Sequence, residues 1–254
     1  MTSHALADTN VLTGRSLRHI LRSPDTIITT AVTPIALMLL FTYVFGGAIN
    51  TGSDESYLNY MLPGILLITV ASGIAYTAYR LFLDMQGGIF ERFQSMPIGR
   101  SSVLWAHVLT SLVSNMISVA IVIGVGVLMG FRTGASFGAW VAVAGILILF
   151  TLALTWVAVI AGLSAKTVDG ASAFSYPLIF LPFISSAFVP TDTMPGPVAW
   201  FAENQPVTSI VNTIRALFAE QPVGSEIWVA LAWLVGILVV AYLGAIAAYR
   251  KKLR

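Results

Sequence analysis

Six apolar runs, each close to the length that crosses a lipid hydrocarbon core, divide this chain of 254 residues. They extend from Thr26 to Ile49, Tyr60 to Leu83, Val103 to Phe131, Phe137 to Leu163, Ala171 to Val189 and Ile227 to Tyr249. A crossing helix needs about 20 apolar residues, and no run carries an ionised side chain except near an end. Inside a bilayer every backbone polar group must find its partner within the protein, so only helices and closed barrels can cross. The runs lack the period-two alternation of barrel strands, which leaves helices. The expected fold is an all-α membrane protein with six transmembrane helices. Composition agrees: 9% of residues are charged, against about 25% in a soluble domain, too few to build a water-facing surface.

Charge fixes an orientation for such a bundle. With six crossings both termini share a side, and that side carries all of the 13 basic residues except Arg132 and Arg215. The other side holds Asp54, Glu55, Asp192, Glu203, Glu220 and Glu226. The positive-inside rule therefore predicts cytoplasmic N- and C-termini in a bacterial inner membrane. Residues 1–25 are expected to form a cytoplasmic interface segment and 26–249 the six-helix domain, with a cytoplasmic loop at 84–102 and an outer loop at 190–225. Residues 250–254 form a basic tail. Spread over loops in this way, the basic residues follow topology and not a nucleic acid.

Within the N-terminal segment, Asn10 to Ser23 places Leu17, Ile20 and Leu21 on one helical stripe and Arg15, Arg18 and Arg22 on another. Such an amphipathic helix lies on the inner membrane surface, where it holds anionic lipid or meets a cytoplasmic partner. Pro24 ends it. About 25 mostly polar residues precede the first run, so that run is read as a retained helix and not as a cleaved signal.

The loop between the second and third runs is too long and too apolar for a plain turn. Ile89, Phe90, Phe93 and Met96 recur at helical spacing among Glu91, Arg92 and Gln94, predicting a short helix from Gly88 to Ser95 that Pro97 stops. Aromatic knobs beside charges suit a docking surface; the alternative is that Phe90 and Phe93 pack on the membrane or on neighbouring helix ends. Ser101 and Ser102 offer an N-cap for the third run.

Further on, Gly126, Gly130, Gly134 and Gly138 are four apart, a spacing that puts small residues on one face for close packing. Pro177 and Pro182 should kink or break the fifth run. In the outer loop, Val207, Ile210, Val211, Ile214, Leu217 and Phe218 mark an apolar stripe while Thr208, Ser209, Asn212, Thr213 and Arg215 face away. With Pro206 in its first turn, this reads as an interfacial or re-entrant helix that lines an exit route or covers the kinked fifth run. Tyr43, Phe45, Tyr76, Tyr79, Phe180 and Phe188 are candidates to line an apolar path.

Catalytic and metal chemistry is missing. His4, His19 and His107 are scattered and have no acid beside them within a run, and no Gly-x-Ser-x-Gly elbow occurs. Gly162-Leu-Ser-Ala-Lys166-Thr167 lacks the glycine before lysine that a phosphate-binding loop requires. No catalytic, cofactor-binding or metal residue is therefore assigned. Ion-driven carriers place carboxylates or histidines deep in their helices to bind the coupling ion, and no run here has one at depth. Uphill transport would have to draw its energy from a partner.

Glu91-Arg-Phe-Gln-Ser-Met-Pro-Ile-Gly-Arg100 resembles the cytoplasmic coupling segment of permeases in the ABC-2 type transporter family, in particular its daunorubicin-resistance subgroup. Phe188-Val-Pro-Thr-Asp-Thr-Met-Pro195, Glu203-Asn-Gln-Pro-Val-Thr208 and Asn212-Thr-Ile-Arg-Ala-Leu217 are similar to that family's outer loop before its last helix. Gln94, Gly99 and the Gln205-Pro206 pair depart from common family choices without removing a required group. The resemblance implies a permease subunit that pairs with an identical or sister permease and binds two ABC ATPase subunits, which would carry ATP and Mg²⁺. It further implies that Asp84, Ile89, Phe90, Glu91, Arg92, Phe93 and Met96 seat in the ATPase, with Arg15, Arg18 and Arg22 beside them. Runs one, two and five would line the route for an amphipathic or hydrophobic compound such as a drug, antibiotic or lipid. The rival expectation is a non-transporting membrane assembly or self-immunity protein.

Overall fold

The computed structural model describes residues 25–49, 52, 56–87 and 102–252. Among them there is no strand. The N-terminal interface segment and the loop helix expected at 88–95 lie outside the described residues, as do the side chains of Arg15, Arg18, Arg22, Ile89, Phe90, Glu91, Arg92, Phe93 and Met96.

The helices follow the apolar runs. We label them α1 (Asp25–Leu40), α2 (Tyr57–Gln86), α3 (Ser102–Leu128), α4 (Phe137–Ser164), α5 (Val168–Ala173), α6 (Ser175–Phe180), α7 (Gly196–Asn204), α8 (Pro206–Phe218) and α9 (Glu226–Lys252). Four of these, α2, α3, α4 and α9, are long and apolar enough to cross a membrane. The first run forms α1 and a π-helical turn, Phe41–Phe45. Single π turns within α-helices often sit at functional sites.

The fifth run is broken, as its prolines dictate. Pro177 cannot donate to the carbonyl of Ala173 and its ring crowds that oxygen, and α5 ends at Ala173. Pro182 acts in the same way five residues further on, and the chain tightens into a 3-10 turn at Leu181–Ile184. The backbone then leaves the helical path through Ser185 to Val189.

The centre of the bundle is α2. It packs against α1, α3, α4, α5, α6 and α8, and every residue from Tyr60 to Ala71 is buried. Outward faces of α3 and α9 carry Ile121, Val127, Leu128, Val235, Val239, Val240 and Leu243, all exposed. A continuous aliphatic exterior of this kind suits lipid and not water. Where α2, α3 and α4 meet, the contact is polar. The hydroxyls of Thr77 and Ser111 are 2.7 Å apart and those of Ser111 and Thr155 3.4 Å apart, so that Ser111 of α3 bridges α2 and α4. Interhelical bonds of this type, together with small residues, hold membrane helices where apolar burial offers no net gain.

The close approaches are not made by the glycine series that the spacing predicted. Helix α3 ends at Leu128, and Gly130 sits beyond it with φ of 109°, so Gly126, Gly130, Gly134 and Gly138 do not share a face. The Phe131 amide donates back to the Gly126 carbonyl at 2.8 Å, a Schellman closure that needs a left-handed residue at Gly130. Close approaches fall instead at Gly64 against Ala187, at Gly73 against the side-chain amide of Asn115 and at Gly162 against the backbone carbonyl of Ala78.

Candidate functional site

The two ends of α2 are built differently. At its first turn a scaffold built from residues between the fifth run and α9 converges, organised by Arg215 of α8. The Arg215 Nε donates to the Tyr60 carbonyl at 3.1 Å, one terminal nitrogen donates to Asn212 Oδ1 at 3.0 Å and the other to the Ser186 carbonyl at 2.7 Å. Its guanidinium carbon also stands 3.8 Å from the centre of the Tyr60 ring. Ser186 in turn donates its hydroxyl to Asn212 Oδ1 at 2.7 Å, and the Tyr57 hydroxyl donates to the Phe188 carbonyl at 3.0 Å. Gln205 caps α8 by accepting from the Val207 amide and reaches back with its own amide to the Ile184 carbonyl.

This changes the reading of α8. Val207, Ile210, Val211, Ile214 and Phe218 of its apolar stripe are buried and Leu217 is half-buried, but Thr208, Ser209 and Thr213 are buried as well, and the helix packs against α2, α4 and α9. The broken backbone after α6 draws on this face: Arg215 and Gln205 donate to the Ser186 and Ile184 carbonyls and Thr208 accepts from the Ser186 amide, whereas Ser209 and Thr213 donate to the Pro206 and Ser209 carbonyls of α8 itself.

Beside this scaffold five phenylalanines join the π turn of α1 to the broken fifth run. Phe188 stacks on Phe41 at 4.8 Å and on Phe183 at 4.9 Å between ring centroids, while Phe45 adjoins Phe41 and Phe180 adjoins Phe183. Of the predicted path residues, Phe45, Phe180 and Phe188 therefore come together, through Phe41 and Phe183, which the sequence reading did not single out. Phe188 is buried, whereas Phe45 and Phe180 are exposed at the cluster's rim. Tyr43 points away and is 70% exposed. Tyr76 and Tyr79 form a separate pair on the distal half of α2, with rings 5.9 Å apart.

At the far end of α2, Asp84 meets α3. Its Oδ2 lies 3.1 Å from Nε2 of His107. The histidine that had no acid within its own run is thus partnered across helices, and the pair ties together the two helix ends from which segment 88–101 emerges. Below it, Trp156 packs edge-on to Trp105 at 5.2 Å and to Tyr242 at 4.8 Å, joining α3, α4 and α9. Among the described residues no cluster of three metal-ligating side chains occurs.

A charge-poor helical bundle, broken at its fifth run and capped by a buried loop helix, defines a polytopic membrane protein of the permease type. The chain belongs to the ABC-2 type transporter family, whose sequence model matches residues 8–219. It is 30% identical over 198 residues, 76% of this chain and 69% of the relative, to the daunorubicin resistance ABC transporter permease protein DrrB1 of Streptomyces coeruleorubidus. It is 26% identical over 249 residues, 97% and 89% of the two chains, to the probable doxorubicin resistance ABC transporter permease protein DrrC of Mycobacterium tuberculosis. A putative transport permease, ycf38 of Cyanophora paradoxa, is 26% identical over 213 residues, 82% and 73% of the two chains.

Proposed function

We propose that this chain is the membrane subunit of an ATP-driven exporter that moves an amphipathic or hydrophobic compound across the bacterial inner membrane. It would cross six times with both termini in the cytoplasm, the first and broken fifth runs supplying the two shorter crossings. Two permeases, identical or mixed, would assemble with two ABC ATPase subunits, and ATP with Mg²⁺ would bind on those partners. What supports the reading most is the ABC-2 match over residues 8–219, which takes in the coupling-like segment and most of the outer loop. The names of DrrB1 and DrrC support a drug or antibiotic as the exported class.

In this reading Asp84 stands at the foot of the coupling segment, with Ile89 to Met96 seated in the ATPase and Arg15, Arg18 and Arg22 alongside. Closure of the ATPase dimer would move the ends of α2 and α3 together, since His107 ties them. The Phe41–Phe188 stack and the α8 cap would then govern release on the other side. The test is a Phe90→Ala, Phe93→Ala double variant of the complex. Co-purification of the ATPase should fall at least tenfold while the permease remains in the membrane. Unchanged ATPase binding and unchanged transport would overturn the docking assignment.

A further inference from the structure

Between Ser72 and Leu83, α2 opens to the exterior along one stripe only: Ser72, Ala75, Tyr76, Tyr79, Arg80 and Leu83. These positions recur at helical three- and four-residue steps, and the residues between them, Gly73, Ile74, Thr77, Ala78, Leu81 and Phe82, are buried on the side that packs against the rest of the bundle. The stripe does not resemble the aliphatic outward faces of α3 and α9. It carries two tyrosines and a guanidinium, with Arg80 lying 5.8 Å from the centre of the Tyr76 ring. No carboxylate among the described residues pairs with Arg80. The nearest one along the helix, Asp84 one turn on, has its Oδ2 on His107.

An arginine on an apolar helix is costly unless something answers its charge. Topology alone would be served by any basic residue at the helix end, whereas a planar guanidinium held beside an aromatic face suits bidentate recognition of a carboxylate, sulfate or phosphate. The neighbouring rings offer an apolar surface for the body of the same ligand. We infer that this stripe is the entry site for the exported compound and that the compound is an acidic amphiphile, its anionic group on Arg80 and its apolar body along Tyr76 and Tyr79. The inference rests on the export reading above and adds the charge of the substrate.

The test uses the full chain in phosphatidylcholine nanodiscs and two photoreactive probes, a twelve-carbon acid bearing a chain diazirine and the matching amine. The acid should label residues 72–83 of α2 at least fivefold more than the amine does. Arg80→Gln should abolish that preference, and Arg80→Lys should retain part of it. Equal labelling by acid and amine, or a preference that survives Arg80→Gln, would overturn the inference. A repeat with phosphatidylglycerol added separates the sources of the anion: loss of acid labelling at low lipid fractions would mark the site as a phospholipid headgroup site and also overturn it. ATP-driven efflux of the acid from vesicles holding the whole complex distinguishes the two proposals. Arg80-dependent labelling without efflux would leave the site standing and remove the export reading; efflux indifferent to probe charge would do the reverse.

Discussion

Arg215 grips Tyr60 twice, through its Nε on the backbone carbonyl at 3.1 Å and its guanidinium over the ring at 3.8 Å. The same side chain holds Ser186 and Asn212, so one residue of α8 fixes the first turns of α2 and the non-helical strand of chain that follows α6. Replacing Arg215 by alanine leaves these carbonyls without a donor in a buried setting, at a cost of about 2 to 4 kcal/mol. The apparent unfolding temperature of the detergent-solubilised protein, followed by tryptophan fluorescence, should fall clearly. Arg215→Lys should recover only a minor part, because a lysine cannot reach three acceptors from one plane. An Arg215→Ala protein as stable as wild type would mean that the cap is held by other contacts.

The Gly73 and Asn115 pair predicts a non-additive effect. A Cβ on Gly73 would collide with the Asn115 amide, whereas Gly145 and Gly236 face open space. Gly73→Ala should destabilise by about 1 to 3 kcal/mol, the usual cost of overpacking, and adding Asn115→Ala should restore part of the loss. Gly145→Ala should be neutral or slightly stabilising, by up to about 1 kcal/mol, since it only improves helix propensity. Equal effects at the two glycines would contradict the close approach of α2 and α3.

Phe180 and Phe188 belong to one aromatic cluster but differ in exposure, 62% against 4%. Phe188→Ala should cost about 3 to 5 kcal/mol and be read as loss of folded protein. Phe180→Ala should change stability by less than about 1 kcal/mol while reducing transport at least threefold, if the rim of the cluster touches the moving compound. Comparable stability losses in both variants would place Phe180 in the core and not on the route.

The Asp84 and His107 pair is partly exposed, at 18% for the histidine and 36% for the aspartate. Its removal should therefore affect stability by only about 0 to 1 kcal/mol. Its position at the feet of segment 88–101 predicts a larger effect on coupling: His107→Ala should lower the compound moved per ATP hydrolysed several-fold with ATPase binding intact. An unchanged transport-to-hydrolysis ratio would show that the pair is not part of the linkage.

Much of this fold was legible because a bilayer leaves so few choices. The absence of charge over some 20 positions marks α2, α3, α4 and α9 directly, and Pro177 and Pro182 announce the break in the fifth run at the carbonyls they cannot serve. What could not be read is pairing across distance. Arg215 is plain in the sequence as a polar residue of an amphipathic helix, but Tyr60 lies 155 residues away and Ser186 lies 29 away. Nothing local signals that broken backbone will draw the polar face of α8 inward. His107 looked solitary for the same reason, its acid being on another helix. The glycine series misled because a spacing of four signifies one face only while the helix continues, and Gly130 is where α3 stops. Phe41 and Phe183 were passed over since phenylalanine is ordinary in an apolar run; only the break that brings them together sets them apart.

The central claim is that a bundle with no carboxylate or histidine deep in its runs takes its power from an ATPase at the end of α2 near Asp84. The most direct measurement is efflux of a fluorescent amphiphile from proteoliposomes holding the permease with or without its ATPase subunit, at a fixed ion gradient. The account predicts concentrative efflux only when the ATPase, ATP and Mg²⁺ are all present, insensitive to protonophore. Concentrative efflux by the permease alone, driven by the ion gradient, would contradict it.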